Sequence, residues 1–166
     1  MNKEVYSRTE KTIDTWETPL YFFNLLNKEF NFTLDPCASH ENRKCEKYYT
    51  IKENGLIQDW SNEIVFVNPP FSHIKAWVKK CYEEGLKEDT IVVMILPSRT
   101  DTQYWHEYIM KALEIRFCKG RVNFLRNGKK TKNGSTFPLA IVVFDEAYGI
   151  VTPFISSFYH KEGDLK

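Results

Sequence analysis

The sequence predicts an α/β domain built on a mixed, mostly parallel sheet. Three observations lead there. Two continuous apolar runs, Ile64–Val67 and Ile91–Leu96, lack the polar alternation of a half-exposed strand. That is how strands buried on both faces read. Amphipathic stretches of helical period stand beside them, over 18–30, 74–87 and 101–113. The order strand, helix, strand, helix, strand then makes parallel neighbours the natural pairing.

Taken in order, residues 1–15 are polar and form an N-terminal segment outside the domain, which spans 16–166. Thr18 and Pro19 suit a helix start, Thr as a cap and Pro at the first helical position. That helix runs to Phe30, with Leu20, Phe23, Leu26 and Phe30 at helical spacing. Asn31–Pro36 reads as a short strand with Phe32 and Leu34 inward. Residues 37–62 read as irregular, with Tyr48 and Tyr49 the exception, two rings that could also stack on a ligand. Ile64–Val67 stops at Asn68-Pro69-Pro70. The helix over 74–87 puts Ile74, Trp77, Val78 and Cys81 on one face. Ile91–Leu96 stops at Pro97, a helix covers Asp101–Leu113, and Glu114–Cys118 is a strand. Arg121–Leu125 and Leu139–Phe144 are predicted to close the chain as an antiparallel hairpin. The loop Arg126–Ser135 between them has no apolar anchor near its basic residues and is predicted to be mobile.

Composition narrows the function classes. The chain has 166 residues, 42 % hydrophobic and 27 % charged, enough for one domain with a full core and unlike a disordered chain. No apolar run approaches the ~20 residues of a membrane span. Four cysteines without a CxxC pair read as free thiols in a reducing, cytoplasmic setting. A zinc cluster of Cys37, His40 and Cys45 would lack its second half, so no metal is expected. Net charge is only +1, but Arg116, Lys119, Arg121, Arg126, Lys129, Lys130 and Lys132 lie between Ile115 and Phe144 with no acid among them. The rest of the chain is net acidic, and such polarity suits contact with phosphates.

In open sheets of this kind ligands bind beyond the carboxyl ends of the strands. Those ends read Asp35-Pro36-Cys37, Asn68-Pro69-Pro70-Phe71 and Leu96-Pro97-Ser98-Arg99. The second carries the chemistry. An exocyclic amino nitrogen is a poor nucleophile because its lone pair is delocalised into the ring. Two acceptors, one for each N–H, push it toward sp³ and free that pair. The Asn68 side-chain oxygen and the Pro69 carbonyl supply two acceptors. The prolines remove competing N–H donors and stiffen the turn. Phe71 offers a stacking face, which a base reaches only when flipped from its duplex.

These residues resemble the S-adenosylmethionine-dependent amino-methyltransferases that carry Asn/Asp-Pro-Pro-aromatic, and more closely the phage and prophage DNA adenine-N6 methyltransferase family. The resemblance runs from Thr15 to Asp145. It rests on Trp16-Glu17-Thr18-Pro19, Leu34-Asp35-Pro36-Cys37-Ala38, Asn54-Gly55-Leu56 with Asp59-Trp60, Asn68-Pro69-Pro70-Phe71, Leu96–Thr102 with Trp105-His106, and Gly120–Phe124. It implies a class I methyltransferase-like, Rossmann-like fold, S-adenosylmethionine as cofactor and DNA as partner, in a monomer or weak dimer. It further implies that Asn68, Pro69, Pro70 and Phe71 are catalytic. Asp35, Pro36, Cys37 and Ala38 form the cofactor loop, with Asp35 accepting from the methionine ammonium. Trp16, Thr18 and Pro19 belong to the segment closing over the methionine end. Asp59 meets the cofactor adenine and Trp60 flanks it. Cys37-Ala38-Ser39 stands where Gly-x-Gly is usual, Glu46 is the acid nearest to a ribose-binding role, and no separate target-recognition domain fits in this length.

Arg99, Asp101 and Trp105 have two readings, a role in the target-base pocket or a capped helix with Trp105 in the core. Arg121, Arg126, Lys129, Lys130 and Lys132 are expected on the DNA backbone. The same amine chemistry would serve RNA or a protein glutamine, and a non-catalytic nucleic-acid-binding relative would keep the fold.

Overall fold

The computed structural model describes residues 16–130, 135–146 and 153–161. The first helix, α1 (Leu20–Phe30), begins one residue later than expected. Pro19 is its cap residue, its carbonyl accepting from Phe22 and Phe23 at 3.1 Å, and Thr18 makes no capping bond. Asn31 ends the helix in the left-handed region, at φ 57°. A tight turn leads into β1 (Leu34–Asp35), shorter than the predicted strand. The polar stretch that follows contains a second parallel strand, β2 (Lys47–Tyr48), paired with β1 through Leu34–Lys47 and Asp35–Tyr48.

Then come β3 (Ile64–Val67), α2 (Ile74–Gly85) and β4 (Ile91–Pro97), all close to expectation. The predicted helix over 101–113 is only α3 (Gln103–Glu107) followed by a 3₁₀ turn at Ile109–Lys111. The break falls at Tyr108, whose φ −127° and ψ −50° leave the helical well. After β5 (Glu114–Lys119) the chain makes a small hairpin, β6 (Leu125–Arg126) and β7 (Lys129–Lys130). It closes with β8 (Leu139–Asp145) and β9 (Phe154–Tyr159).

The seven-stranded sheet has the order β2-β1-β3-β4-β8-β5-β9. β8 is antiparallel to both of its neighbours, and β1 to β4, with β5 and β9, run the other way. The sheet is therefore mixed and mostly parallel, as predicted, with one pairing corrected. The partners of Leu139–Asp145 are β4 and β5, while Arg121–Phe124 joins no strand. Leu139–Asp145 is apolar on both faces, so the sheet interior is where it buries most.

The two faces explain the unbroken apolar runs. Val65, Val67, Val92, Met94, Leu96, Ala140 and Val142 pack under Trp77, Val78 and Cys81 of α2 and Tyr104 and Trp105 of α3. The intervening Phe66, Val93, Ile95, Ile141 and Val143 pack under Phe22, Phe23 and Leu26 of α1. The six strands that run in one direction thus end on one rim, with Asp35, Tyr48, Val67, Pro97, Lys119 and Tyr159 as their last residues. No helix among the described residues is long and apolar enough to cross a membrane.

Candidate active site

The rim holds a cleft of 290 Å³ and, beside it, a smaller polar cavity of 30 Å³. Trp16, Cys37, Asn42 and Asn68 line both, so the two form one continuous site. Asn68 lies just past the end of β3, between them. Its Nδ2 donates to the Trp16 carbonyl at 2.8 Å. Its Oδ1 is buried and has no hydrogen-bond partner among the described residues. An orphaned buried acceptor costs roughly 1–3 kcal/mol, and such atoms concentrate where a ligand completes the bonding. Pro69 is buried, Pro70 lines the cleft, and Phe71 opens a 3₁₀ turn. The Phe71 ring meets Phe137 edge to face, centroids 5.3 Å apart and planes at 79°.

Asp35 ends β1 and lines the small cavity at 5 % exposure. Its carboxylate accepts from the backbone N–H of Cys37 at 3.2 Å and of Lys44 at 3.0 Å. Those bonds fold the loop back over the strand. Burial nevertheless dominates, and the carboxyl is pushed up to about 6. A carboxylate in that state gains from a nearby cation. Lys44 lines the same cavity, and burial lowers its ammonium from the usual value. The Cys37 thiol is driven well above its ordinary range by burial and by Asp35, which disfavours the thiolate.

The loop after β1 is pinned on its outer side. Tyr49 donates its N–H to the Asp35 carbonyl and accepts from Ala38, both at 3.0 Å. Tyr49 therefore stands on the cleft wall with Pro36 and Ala38. Across from it, Gly55 is held so close that a Cβ would come within 2.2 Å of the Pro36 carbonyl. Only Gly permits that approach. The cleft lining contains no carboxylate. Glu46 is exposed and absent from it, and Ser39, Thr50 and Asn54 are the polar groups placed there instead.

Of the residues read from sequence, the structure brings together Trp16, Thr18, Asp35, Pro36, Cys37, Ala38, Asn68 and Pro70 around these cavities. Pro19 is buried at the head of α1 and lines neither. Asp59 and Trp60, expected at the cofactor adenine, line neither cavity. Asp59 is exposed, bonded to Ser61 and ion-paired with Lys87 at 2.7 Å, contacts that hold its carboxyl well below the usual range. Trp60 is fully buried, donates to the Gly55 carbonyl at 3.0 Å and stacks on Trp77. Its role is to support the Gly55 turn from behind.

Trp105 is 3 % exposed within the core, so the reading that places it in a base pocket is corrected in favour of packing. Arg99 and Asp101 are exposed, and the helix cap is Thr102, without a side-chain capping bond. Arg121, Arg126, Lys129 and Lys130 are exposed, and Lys132 lies outside the described residues. The predicted mobile loop begins instead as the β6–β7 hairpin, closed by Asn127 and Gly128 at φ 51° and 71°. Asn-Gly is the pair that such a two-residue turn favours. Arg116 is withdrawn from the basic run by paired bonds to Glu29 at 2.6 Å and one to Glu114 at 2.7 Å. Sequence reasoning gave no role to Glu17, Asn42, Lys44, Asn54 or Phe137. Glu17 and Asn54 sit inside recognised blocks, whereas nothing local marks Lys44 or Phe137.

Comparison with known proteins identifies the family. The family model for DNA N-6-adenine-methyltransferase (Dam) matches residues 6–163. The DNA N-6-adenine-methyltransferase of Haemophilus phage HP1 is 29 % identical over 150 residues, which is 87 % of this chain and 85 % of that protein. The protein of the same description from Escherichia phage T1 is 35 % identical over 104 residues, 61 % of this chain and 43 % of that protein. By its sequence, over nearly its whole length, the chain belongs to the Dam family of DNA N-6-adenine-methyltransferases.

Proposed function

We propose that this protein methylates the N6 amino group of adenine in DNA with S-adenosylmethionine as donor, within a bacterial cytoplasm. The observation that carries the reading is the buried, unpartnered Oδ1 of Asn68 at the end of β3. An acceptor held there by the Trp16 carbonyl suits one N–H of the target amine. The Pro69 carbonyl takes the other. Phe71 stacks on the flipped base, with Phe137 beside it.

The cavities fit the donor. S-adenosylmethionine supplies the electrophilic methyl group. Asp35 takes its ammonium, and Lys44 in the same cavity takes its carboxylate. Thr18, whose buried Oγ1 has no partner among the described residues, adds a hydroxyl to that end. Pro36, Tyr49, Ile51 and Trp77 wall the more apolar cleft for the adenosine, and Ser39, Thr50 and Asn54 meet the ribose hydroxyls. No general base is assigned, because the proton leaving N6 can pass to water. Arg121, Arg126, Lys129 and Lys130 contact the DNA backbone.

The test is incubation of unmodified plasmid DNA with the protein and S-adenosylmethionine, followed by nucleoside mass spectrometry. N6-methyladenine from the wild type, and far less in the same time from Asn68→Ala, is the expected result. Cofactor binding without DNA methylation would redirect the same chemistry to RNA or protein. Absence of cofactor binding in calorimetry would leave a non-catalytic relative.

A further inference from the structure

We infer that Glu17 is a positioning residue that couples the basic β6–β7 hairpin to the amide of Asn68. The inference rests on the reading of Asn68 as the acceptor for the target amine. An isolated two-stranded hairpin is marginal in water, and this one has two residues in each strand. Its anchor is the segment before α1. Glu17 and Leu125 exchange both backbone bonds at 2.9 Å. The Glu17 carboxylate also accepts from the Gly128 N–H at the hairpin turn, at 3.3 Å. One residue earlier, Trp16 packs its ring against Phe124 at 6.1 Å, and its carbonyl accepts from Asn68 Nδ2 at 2.8 Å.

Hairpin, Glu17, Trp16 and Asn68 are therefore joined in series: the hairpin by the Glu17–Leu125 backbone pair and the Glu17 carboxylate on Gly128, and Asn68 by its side-chain amide on the Trp16 carbonyl. The last bond has a chemical consequence. A side-chain amide can flip by half a turn, exchanging donor and acceptor. The Trp16 carbonyl accepts only a donor, so it selects the orientation that leaves Oδ1 as the acceptor. Whatever fixes the hairpin fixes Glu17, and with it the carbonyl that sets the amide. DNA phosphates held by Arg126 and Lys129 would do this, so backbone contact and amine activation share one element.

The coupling predicts a separation of kinetic effects. A hairpin that only tethers DNA would, when neutralised, raise KM for DNA and leave the single-turnover rate at saturation unchanged. A coupled hairpin lowers that rate as well. The experiment measures single-turnover methylation at saturating DNA and S-adenosylmethionine, with cofactor affinity taken separately by calorimetry. Glu17→Ala should lower the rate roughly three- to tenfold, the worth of one hydrogen bond. Glu17→Gln, which keeps an acceptor for Gly128, should recover most of it. The joint variant Arg126→Gln, Lys129→Gln, Lys130→Gln should lower the rate in the wild-type background and lower it by a smaller factor in the Glu17→Ala background, where only the Glu17–Leu125 backbone bonds remain. This arm changes exposed residues alone, so it remains informative if Glu17→Ala folds poorly. An unchanged saturating rate in the hairpin variant overturns the coupling. Full activity of Asn68→Ala would instead overturn the reading of Asn68, whatever Glu17 does.

Discussion

The side chain of Asn68 gives its one amide donor bond to the main chain of Trp16, across 52 positions of sequence. The consequence is an oxygen that is buried, turned to act as an acceptor, and without a hydrogen-bond partner among the described residues. The acceptor stays without a partner because β3 ends at two prolines. Neither proline can donate an N–H to the orphaned oxygen. The arrangement is preorganised for a donor from outside, the condition under which fixed polar groups contribute most to catalysis.

Replacing Asn68 by Ala removes that acceptor. Turnover should fall by roughly 10²–10³, as for other preorganised groups that act at the reacting centre. The affinity for S-adenosylmethionine, measured by calorimetry, should stay close to wild type, because the proposed holders of the methionine end are Asp35 and Lys44. A parallel loss of cofactor binding would assign Asn68 a structural role instead.

Phe71 and Phe137 form a separate test. Their edge-to-face contact places two rings beyond the end of β3, where the proposed reading puts the target base. Phe71→Ala should weaken productive DNA binding by about 1–3 kcal/mol, the range for base–aromatic stacking. Phe71→Tyr and Phe71→Trp should keep most activity, since each retains a π-face. Kinetics with a fixed adenine target would check this, and a tolerated Ala with an intolerant Trp would mark Phe71 as packing only.

Asp35 should show two opposite pH trends. Its carboxyl is raised from 3.8 to about 6 in the folded protein by burial. The folded state therefore holds this proton more tightly than the unfolded one, and the free protein gains stability as pH falls from about 6 toward 3.8. Cofactor binding runs the other way, because the methionine ammonium needs the ionised carboxylate. Affinity for S-adenosylmethionine should decline as pH drops through about 6. Asp35→Asn should abolish that decline and lower affinity throughout by about 1.5–3 kcal/mol, the range for a hydrogen bond to a charged group. Its melting temperature should lose the wild-type rise on acidification. Thermal melts and calorimetry across pH 5–8 would resolve both, and a pH-independent wild-type affinity would remove Asp35 from the ammonium site.

Much of this was legible in the residues, for definable reasons. β3, β4 and β8 were readable because burial on both faces forces continuous apolar runs. The strand ends at Asp35, Asn68 and Pro97 followed, and with them the rim. β2 was not readable, because two residues beginning with an exposed Lys47 carry no period. The length of α3 was overread because Tyr104, Trp105, Ile109 and Ala112 keep helical spacing through a break at Tyr108. Asp59 and Trp60 were recognised as a block, yet their side chains serve Lys87 and Gly55. Lys44 reaches the site only because the loop after β1 folds back onto Asp35, a tertiary event with no local signature.

The basic hairpin tests the substrate class most directly. Arg126, Lys129 and Lys130 project from a turn whose Asn127 and Gly128 take positive φ, so the strand residues on either side are held opposite one another, Arg126 against Lys129 and Leu125 against Lys130. Cations placed on a hairpin held by Glu17 beside the rim need less ordering when a polyanion arrives than cations on an open loop. If all three meet phosphates, each contact releases a condensed counterion, and neutralising them together should shrink the slope of log K against log salt by about 2.7 for duplex DNA. The loss should be uniform across sequences, since phosphate contacts position the protein and carry no base information. S-adenosylmethionine affinity without DNA should not change. Arg116 supplies the internal control. Its charge is consumed by Glu29 and Glu114, so Arg116→Gln should leave the salt slope as it is while lowering thermal stability. A salt titration of the four proteins — wild type, triple variant, Arg116→Gln and a mixed-sequence control with Asn68→Ala — on unmodified duplex would decide the matter. Equal slopes for wild type and triple variant would place the DNA backbone elsewhere on the molecule.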